Sequence, residues 1–309
     1  MIVVAGEVLV DAVVDADGEV TRRTLGGGPF NAAVAAGRQT GTGRVQFLSR
    51  ISTSDWGEQA LNRLQESHVD TALAQRGDEE MTVAWAHLDE SGAASYVFDW
   101  EGRADSLVVD PGLLDGSIFC FGTCSMVFQP GAGVYEEMMR RQHDAGALVA
   151  LDPNIRPAVI EAAGLTEDQY RQRFWSWLPV VDVVKLSDDD CQWLAPEDSL
   201  DQAVTRMLDA GVQAVVLTRG AEGLSVHTGS IDAEVPAPKV EVVDTIGAGD
   251  TVMGTLLVAL YEADAHPKRV VGKLKHEQWQ EILHRCATAA AITVSRAGAN
   301  PPFQAELVP

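Results

Sequence analysis

Asp250 closes the run Asp244-Thr-Ile-Gly-Ala-Gly-Asp250, and an apolar stretch from Thr251 to Leu257 continues from it at helical spacing. A helix start offers unpaired N–H groups and a partial positive charge, and residues without bulky side chains let a ligand approach that backbone closely. Gly247, Ala248 and Gly249 therefore form an anion cup, with Asp250 beside whatever anion occupies it. A carboxylate is out of place next to a phosphate unless it has a proton to take. That pairing is the chemistry of phosphoryl transfer: the cup stabilises charge on the moving group while Asp250 accepts the proton of an attacking hydroxyl.

A second glycine-rich turn, Leu25-Gly-Gly-Gly-Pro-Phe-Asn31, leads into an alanine-rich helix. Gly26, Gly27 and Gly28 allow close backbone approach, and Asn31 can donate to and accept from sugar-like hydroxyls. The turn is not GxGxxG and does not follow the first strand, so the fingerprint of an NAD-linked dehydrogenase is missing. GxxxxGK[ST] is missing as well, which excludes a standard P-loop.

The elements that must position these two turns alternate along the chain. Apolar runs starting at Ile2, Arg44, Ser117, Ala147, Val180 and Gln213 read as strands, with segments of helical periodicity between them. This is the pattern of a mostly parallel sheet covered by crossover helices. Two stretches break the rhythm, at about 8–25 and 82–99, where β-rich arms flank the turns DADGE and DESG. Such hairpins cannot join a buried parallel sheet; they predict a separate small sheet that acts as a flap over a site. The expected architecture is one α/β domain over residues 1–309 with a small β-sheet lid.

Composition narrows the partners. At 309 residues, 46% apolar and 22% charged, the chain reads as globular, and its net charge of −22 without a basic cluster argues against nucleic acid. Any anionic ligand must then be held by local dipoles, arginines or metal against the overall field. No apolar run reaches the ~18 residues that would span a bilayer. The N-terminal MIVVAGEVLVD lacks a basic segment and reads as a strand rather than a signal peptide. Cys120, Cys124, Cys191 and Cys286 are too scattered for a disulfide framework, and a reducing cytoplasm is the expected location. Exposed hairpins have edge strands that pair between subunits, so a homodimer through the lid strands is expected.

Taken together, GGGPFN, LDPNIRP, VKLSDDD, VLTRGAEG, DTIGAGD and the terminal AAAITVSRAGANPP, in that order, resemble the PfkB or ribokinase-like carbohydrate kinases, and among these most closely the fructokinases. The resemblance implies a ribokinase-like three-layer fold and an ATP-dependent sugar kinase that uses Mg²⁺. It makes Asp250 the general base and Gly247, Ala248 and Gly249 the anion hole for the γ-phosphate. Asp11, Gly27, Gly28 and Asn31 would hold sugar hydroxyls, with Arg156 reaching the phosphate or the phosphorylated product; with the sugar between the glycine turn and the flap, Phe98 or Trp100 of the second hairpin is the expected apolar contact. Ser187, Thr218, Gly220 and Gly223 would line the nucleotide site. Asp190 would organise Mg²⁺ through water, and Asp244 with the carbonyl of Ile246 would bind a monovalent cation such as K⁺.

The sequence departs from the family pattern at Asp190, where a glutamate is usual, at Ser52 and Ser54, and at Val252 and Thr255. Fructose is the expected acceptor. 2-Keto-3-deoxygluconate, ribose and a nucleoside are the other acceptors served by this scaffold, and a non-catalytic sugar or nucleotide binder is the alternative of another class.

Overall fold

A computed structural model describes residues 1–88, 94–264 and 266–307. The N-terminal third contains β1 (Ile2–Ala5), the hairpin β2 (Leu9–Val14) and β3 (Val20–Gly26), helix α1 (Gly28–Arg38), β4 (Val45–Ser52) and α2 (Asp55–Glu66). It continues with the short strands β5 (Val69–Asp70) and β6 (Ala74–Gly77), and a second pair, β7 (Val83–Leu88) and β8 (Ala94–Asp99). Strands and helices then alternate through β9 (Ile118–Gly122), α3 (Gly131–Asp144), β10 (Leu148–Asp152), α4 (Pro157–Ala162) and α5 (Glu167–Trp177). Next come β11 (Val183–Ser187), α6 (Asp188–Leu194), α7 (Leu200–Asp209) and β12 (Ala214–Thr218). The chain ends with β13 (Leu224–Thr228), β14 (Asp232–Val235), α8 (Ala248–Ala263), α9 (Pro267–Val270) and α10 (His276–Val294).

All six strands expected from the apolar runs are present, and they sit side by side. The large sheet runs β14-β13-β12-β11-β10-β9-β1-β4-β5, with β6 also on β4, and only the β12-β13 and β13-β14 pairings are antiparallel. Alternate residues of each strand face opposite layers. Ile2 and Val4 of β1 and Leu148 and Ala150 of β10 join the core beneath α1, α2, α8 and α10. Val3, Ala5, Val149 and Leu151 join the core beneath α3, α5 and α7. Burial on both faces is why these strands read as continuous apolar runs rather than alternating ones. Local signals start several of the helices: Thr166 with Gln169 and Ser199 with Gln202 form capping boxes at α5 and α7. Among the described residues no helix is long and apolar enough to cross a membrane.

The two hairpins form a separate four-stranded sheet in the order β3-β2-β7-β8. Its central pair, β2 with β7, is parallel, as are the strands that precede them in the chain, β1 and β6, each of which runs parallel to β4. The DESG turn of the second hairpin lies outside the described residues. One face of this sheet carries Asp11, Ala84 and Phe98 in register, with Arg22 diagonal to Asp11. The opposite face carries Arg23, whose guanidinium lies 5.5 Å from the centre of the Trp85 ring.

Candidate active site

Five strands of the large sheet end on one rim. In spatial order β1, β9, β10, β11 and β12 lead into Glu7, Thr123, Asp152–Arg156, Ser187 and Thr218. Open α/β sheets place their ligands at this carboxyl edge. Helices α1 and α8 pack against each other over the rim, and Gly254 lets them approach: a Cβ there would stand 2.5 Å from the carbonyl oxygen of Ala32. The first turns of the two helices are thereby brought together.

Their meeting point is a hydrogen bond. Asn31 Nδ2 donates to Asp250 Oδ2 at 2.8 Å, joining the two glycine-rich turns that the sequence singles out 219 residues apart. Asp250 is half-buried, and burial lifts its carboxyl to about 6, with the Asn31 hydrogen bond pulling the other way. Asp152 adds to the rise; Lys185 and Arg156 oppose it. A carboxylate with this pKa is ionised at neutral pH and is a better proton acceptor than an exposed aspartate.

Helix α8 begins at Ala248, with Gly247 at its N-cap in the left-handed region (φ 77°) and no side chain capping the start. Ala248 N–H turns back to Thr245 O at 3.3 Å, whereas the N–H groups of Gly249 and Asp250 find no backbone acceptor among the described residues. The cup is thus narrower than the sequence suggests: Ala248 contributes its small side chain, and its N–H is committed elsewhere.

Beneath the cup lies a pair that sequence reasoning missed. Lys185, buried in the middle of β11, donates to Asp152 Oδ2 at 2.8 Å, and a Cβ on Gly249 would stand 3.0 Å from its Nζ. Burial works against the ammonium, but Asp152, Asp250 and Asp190 outweigh it and hold the lysine pKa above its ordinary value. Burial lifts the Asp152 carboxyl, and Lys185 draws it back. Asp152 Oδ1 is buried without a hydrogen-bond partner. The available signal was a charged residue inside an otherwise apolar strand, since a buried lysine requires a carboxylate nearby.

Asp11 projects from β2 toward the same space. Burial lifts its carboxyl to about 6 despite the charges of Arg22 and Arg156. Gly26 makes room for it, since a Cβ on Gly26 would lie 2.0 Å from Asp11 Oδ2. Gly27 lies against the carbonyl of Glu7, and Gly28 against Thr123 Oγ1 and Asn154 Nδ2. Thr123 and Asn154 both hold left-handed backbones (φ 58° and 40°), the kind of local strain that collects at functional sites. Arg156 is exposed and donates to the Ile155 carbonyl at 2.9 Å, and its charge acts on Asp11, Asp152 and Asp250. Phe98 packs toward Phe128, with ring centroids 6.3 Å apart, while Trp100 stacks on Phe128 at 4.4 Å.

The remaining candidates divide. Ser187 caps α6, its Oγ accepting the Asp190 N–H at 3.0 Å, and the Asp190 oxygens accept from the N–H groups of Ile155 at 3.0 Å and Ser187 at 3.3 Å. Asp190 therefore locks the β10 and β11 exits together, which leaves Asp152 Oδ1 as the unengaged buried carboxylate oxygen beside it. Thr218, Gly220 and Gly223 lie together where β12 turns into β13. Asp244 accepts from Ile246 N–H at 3.0 Å and Gly298 N–H at 2.9 Å, and these two amides, Ile246 first, keep its carboxyl below the usual range. It ties the loop before α8 to the loop after α10, with Ile246 exposed between them.

Two departures from the family pattern find partners. Thr255 accepts from buried Gln39 Nε2 at 2.8 Å, a bond from the residue that ends α1 to α8. Ser52 accepts the Ser54 N–H at 3.1 Å where β4 gives way to α2.

The pfkB family carbohydrate kinase model matches residues 1–306. A fructokinase of Rhizobium leguminosarum bv. trifolii is 32% identical over 90% of this chain and 85% of its own length. A fructokinase of Xylella fastidiosa, solved with bound ATP, superposes with a TM-score of 0.87 at 27% identity, covering 99% of this chain and 96% of that one. A fructokinase of Vibrio cholerae O395, in a form with fructose, ADP and calcium bound, shares the fold with a TM-score of 0.80 at 23% identity, covering 99% and 97%.

Proposed function

The chain belongs to the pfkB family of carbohydrate kinases, and from that premise we propose that it is a fructokinase that moves the γ-phosphoryl group of ATP to a hydroxyl of fructose. The observation that carries the reading is the Asn31–Asp250 hydrogen bond, because it puts a residue suited to sugar hydroxyls and a proton-accepting carboxylate at one point beside an open helix start. Asp11, Asn31, the Gly27-Gly28 turn and Arg156 hold the acceptor, and Phe98 supplies an apolar wall. Thr218, Gly220 and Gly223 border the nucleotide, with Ser187 at its phosphate side.

As the acceptor oxygen forms its bond to the γ-phosphorus, the bond to the ADP oxygen breaks, and the hydroxyl proton passes to Asp250. The N–H groups of Gly249 and Asp250, the helix dipole and the Lys185 ammonium face the charge that moves. A sugar hydroxyl is a weak acid, so Asp250 takes the proton during transfer rather than before it. The fixed, partly buried arrangement needs little reorganisation at that moment.

The residues present suit a magnesium ion held mainly by phosphate and water. Asp152 has a buried, unpartnered oxygen on the phosphate side of the cleft, and Asp190 fixes the backbone around it. When bound, the ion neutralises charge on the phosphates. Asp244, held anionic, and the carbonyl of Ile246 would take a monovalent cation. The small sheet closes over the acceptor and excludes water that would compete for the phosphoryl group. Its edge strands β3 and β8, where Val20, Tyr96 and Val97 are exposed, pair with a second copy to give a homodimer, and the enzyme works in the cytoplasm, where its four buried thiols stay free.

A coupled ADP-release assay over fructose, ribose, 2-keto-3-deoxygluconate and a nucleoside tests the reading. Fructose is expected to give the highest kcat/KM. Preference for another of the four would replace the acceptor, and no ADP release with any of them would remove the kinase assignment.

A further inference from the structure

Helix α1 carries the acceptor turn and yet has no cap of its own. Its N-cap is Gly27, which offers no side chain, and its first turn contains no acid. The exposed N–H groups of a helix start need an acceptor, and leaving one buried without a partner is costly. The acceptor comes from elsewhere in the chain. Glu7, just after β1 and 1% exposed, takes the Gly28 N–H on Oε1 at 3.2 Å.

Its other oxygen takes the Ser125 N–H at 3.0 Å and pairs with the Ser125 hydroxyl, while Ser125 Oγ accepts the Glu7 N–H at 2.7 Å. One carboxyl thus pins two backbone segments, the start of α1 and the turn Thr123–Met126 after β9. Between them lies the contact of Gly28 with the strained Thr123. Three residues beyond Gly28 is Asn31, whose amide holds Asp250.

We propose that Glu7 is a positioning residue for the acceptor: as a cap supplied from outside the helix, its buried carboxyl fixes the Gly27–Asn31 turn against Thr123 and sets where Asn31 meets Asp250. The role rests on the reading of the site as a sugar kinase, and it deepens that reading by naming what holds the acceptor side in place. Burial lifts the Glu7 carboxyl to about 8, with the Ser125 hydroxyl pulling the other way.

The test uses the full chain with Glu7→Ala and Glu7→Gln, against Asp182→Asn as a control. Asp182 is equally buried but lies at the opposite end of the large sheet, where it accepts from Val149 N–H and Gln213 Nε2. Glu7→Ala is expected to raise the KM for fructose at least tenfold and leave the KM for ATP within twofold. Glu7→Gln, which turns an NH₂ toward a backbone donor, is expected to move the same constant in the same direction. Asp182→Asn is expected to lower the melting temperature without separating the two KM values. Hydrogen–deuterium exchange at residues 27–31 is expected to rise in the Glu7 variants and not in the control, and it reads the cap whether or not any sugar is turned over.

A fructose KM within twofold of the wild type, or fructose and ATP constants rising together as in a merely destabilised protein, would overturn the proposal. So would unchanged exchange at 27–31. If both Glu7 variants fail to fold, Ser125→Ala, which loosens the carboxyl but spares its contact with Gly28, is expected to raise the fructose KM about threefold, and no rise would count against the role. A wild type that phosphorylates none of the sugars would remove the kinase reading and leave the exchange result to judge the cap alone.

Discussion

Replacing Asp250 by asparagine should make the protein more stable and nearly inactive. Burial lifts the Asp250 carboxyl from 3.8 to about 6, so the folded state holds it ionised at neutral pH against its preference. Such a shift corresponds to about 3 kcal/mol at most, and partial exposure to solvent reduces it to ~1–2 kcal/mol. An amide carries no charge to desolvate, and its oxygen can still accept from Asn31 Nδ2, 2.8 Å away in the native site. For a chain of this size, ~1–2 kcal/mol is a rise of a few degrees in Tm.

The sign follows from the direction of the shift. A carboxylate whose pKa is raised on folding destabilises the folded state fully above about 6 and not at all below the ordinary 3.8. The gain from Asp250→Asn should therefore be present at pH 8 and vanish by about pH 4. Loss of the proton acceptor should lower kcat by ~10²-fold or more, about 3 kcal/mol or more of barrier, with ATP binding nearly unchanged. Thermal unfolding at the two pH values and ADP release with fructose measure both halves. A variant within threefold of wild type in kcat would refute the base assignment, and a lower Tm at pH 8 would refute the electrostatic account.

Three further outcomes follow from the same site. Lys185→Met leaves Asp152 buried without its 2.8 Å partner and should cost about 3–5 kcal/mol in denaturant unfolding; the double variant with Asp152→Asn should recover most of that stability but not the activity, and a fully stable single variant would show that the pair is solvated. The kcat/KM for fructose should fall below about pH 6, because Asp11 and Asp250 both titrate near there and both act ionised; full activity at pH 5 would contradict this. Glu7, lifted to about 8, should make folding stability decline from about pH 5 to pH 8, by up to about 1.4 kcal/mol per pH unit, and Glu7→Gln should flatten that decline relative to wild type; parallel curves would show that the acid is not the source.

The parts of this molecule that were legible in the sequence are those whose signals are local. Apolar runs bounded by polar turns gave six of the parallel strands but not the short β5 and β6, and the side-chain-poor helix starts at Gly28 and Ala248 were visible as glycine clusters before alanine-rich or apolar periodicity. The hairpins at β2–β3 and β7–β8 were visible for the same reason. Strands β13 and β14 were not foreseen, because they are short, carry His227, Asp232 and Glu234, and gain their place only by adding to an edge. The parallel contact of β2 with β7 joins residues more than seventy positions apart, and neither strand records its partner.

What the sequence concealed in the site has one physical cause. Lys185 and Asp152 are 33 residues apart, Glu7 and Ser125 118 apart, and each residue alone is an unremarkable member of a strand or its exit. Only the sheet order, which sets β1 beside β9 and β10 beside β11, makes each polar group the other's neighbour. Their burial then raises the energetic stakes: a lone buried charge would be untenable, so finding one obliges a search for its partner.

That logic also explains how a chain of net charge −22 can serve a polyanionic nucleotide. With 23 Lys and Arg against 45 Asp and Glu, attraction has to be local: the exposed Arg156, the helix-start amides and the buried Lys185. Lys185 is desolvated, kept protonated by three carboxylates and held beneath Gly249, where its charge is screened less than it would be at the surface. The backbone amides above it carry partial charge but no net charge, so they add attraction without further desolvation of an ion. The acidic exterior acts through water at long range and is screened by salt, whereas the Lys185 ammonium, which offsets part of the charge of Asp152, Asp190 and Asp250, and the helix-start amides act at contact distance.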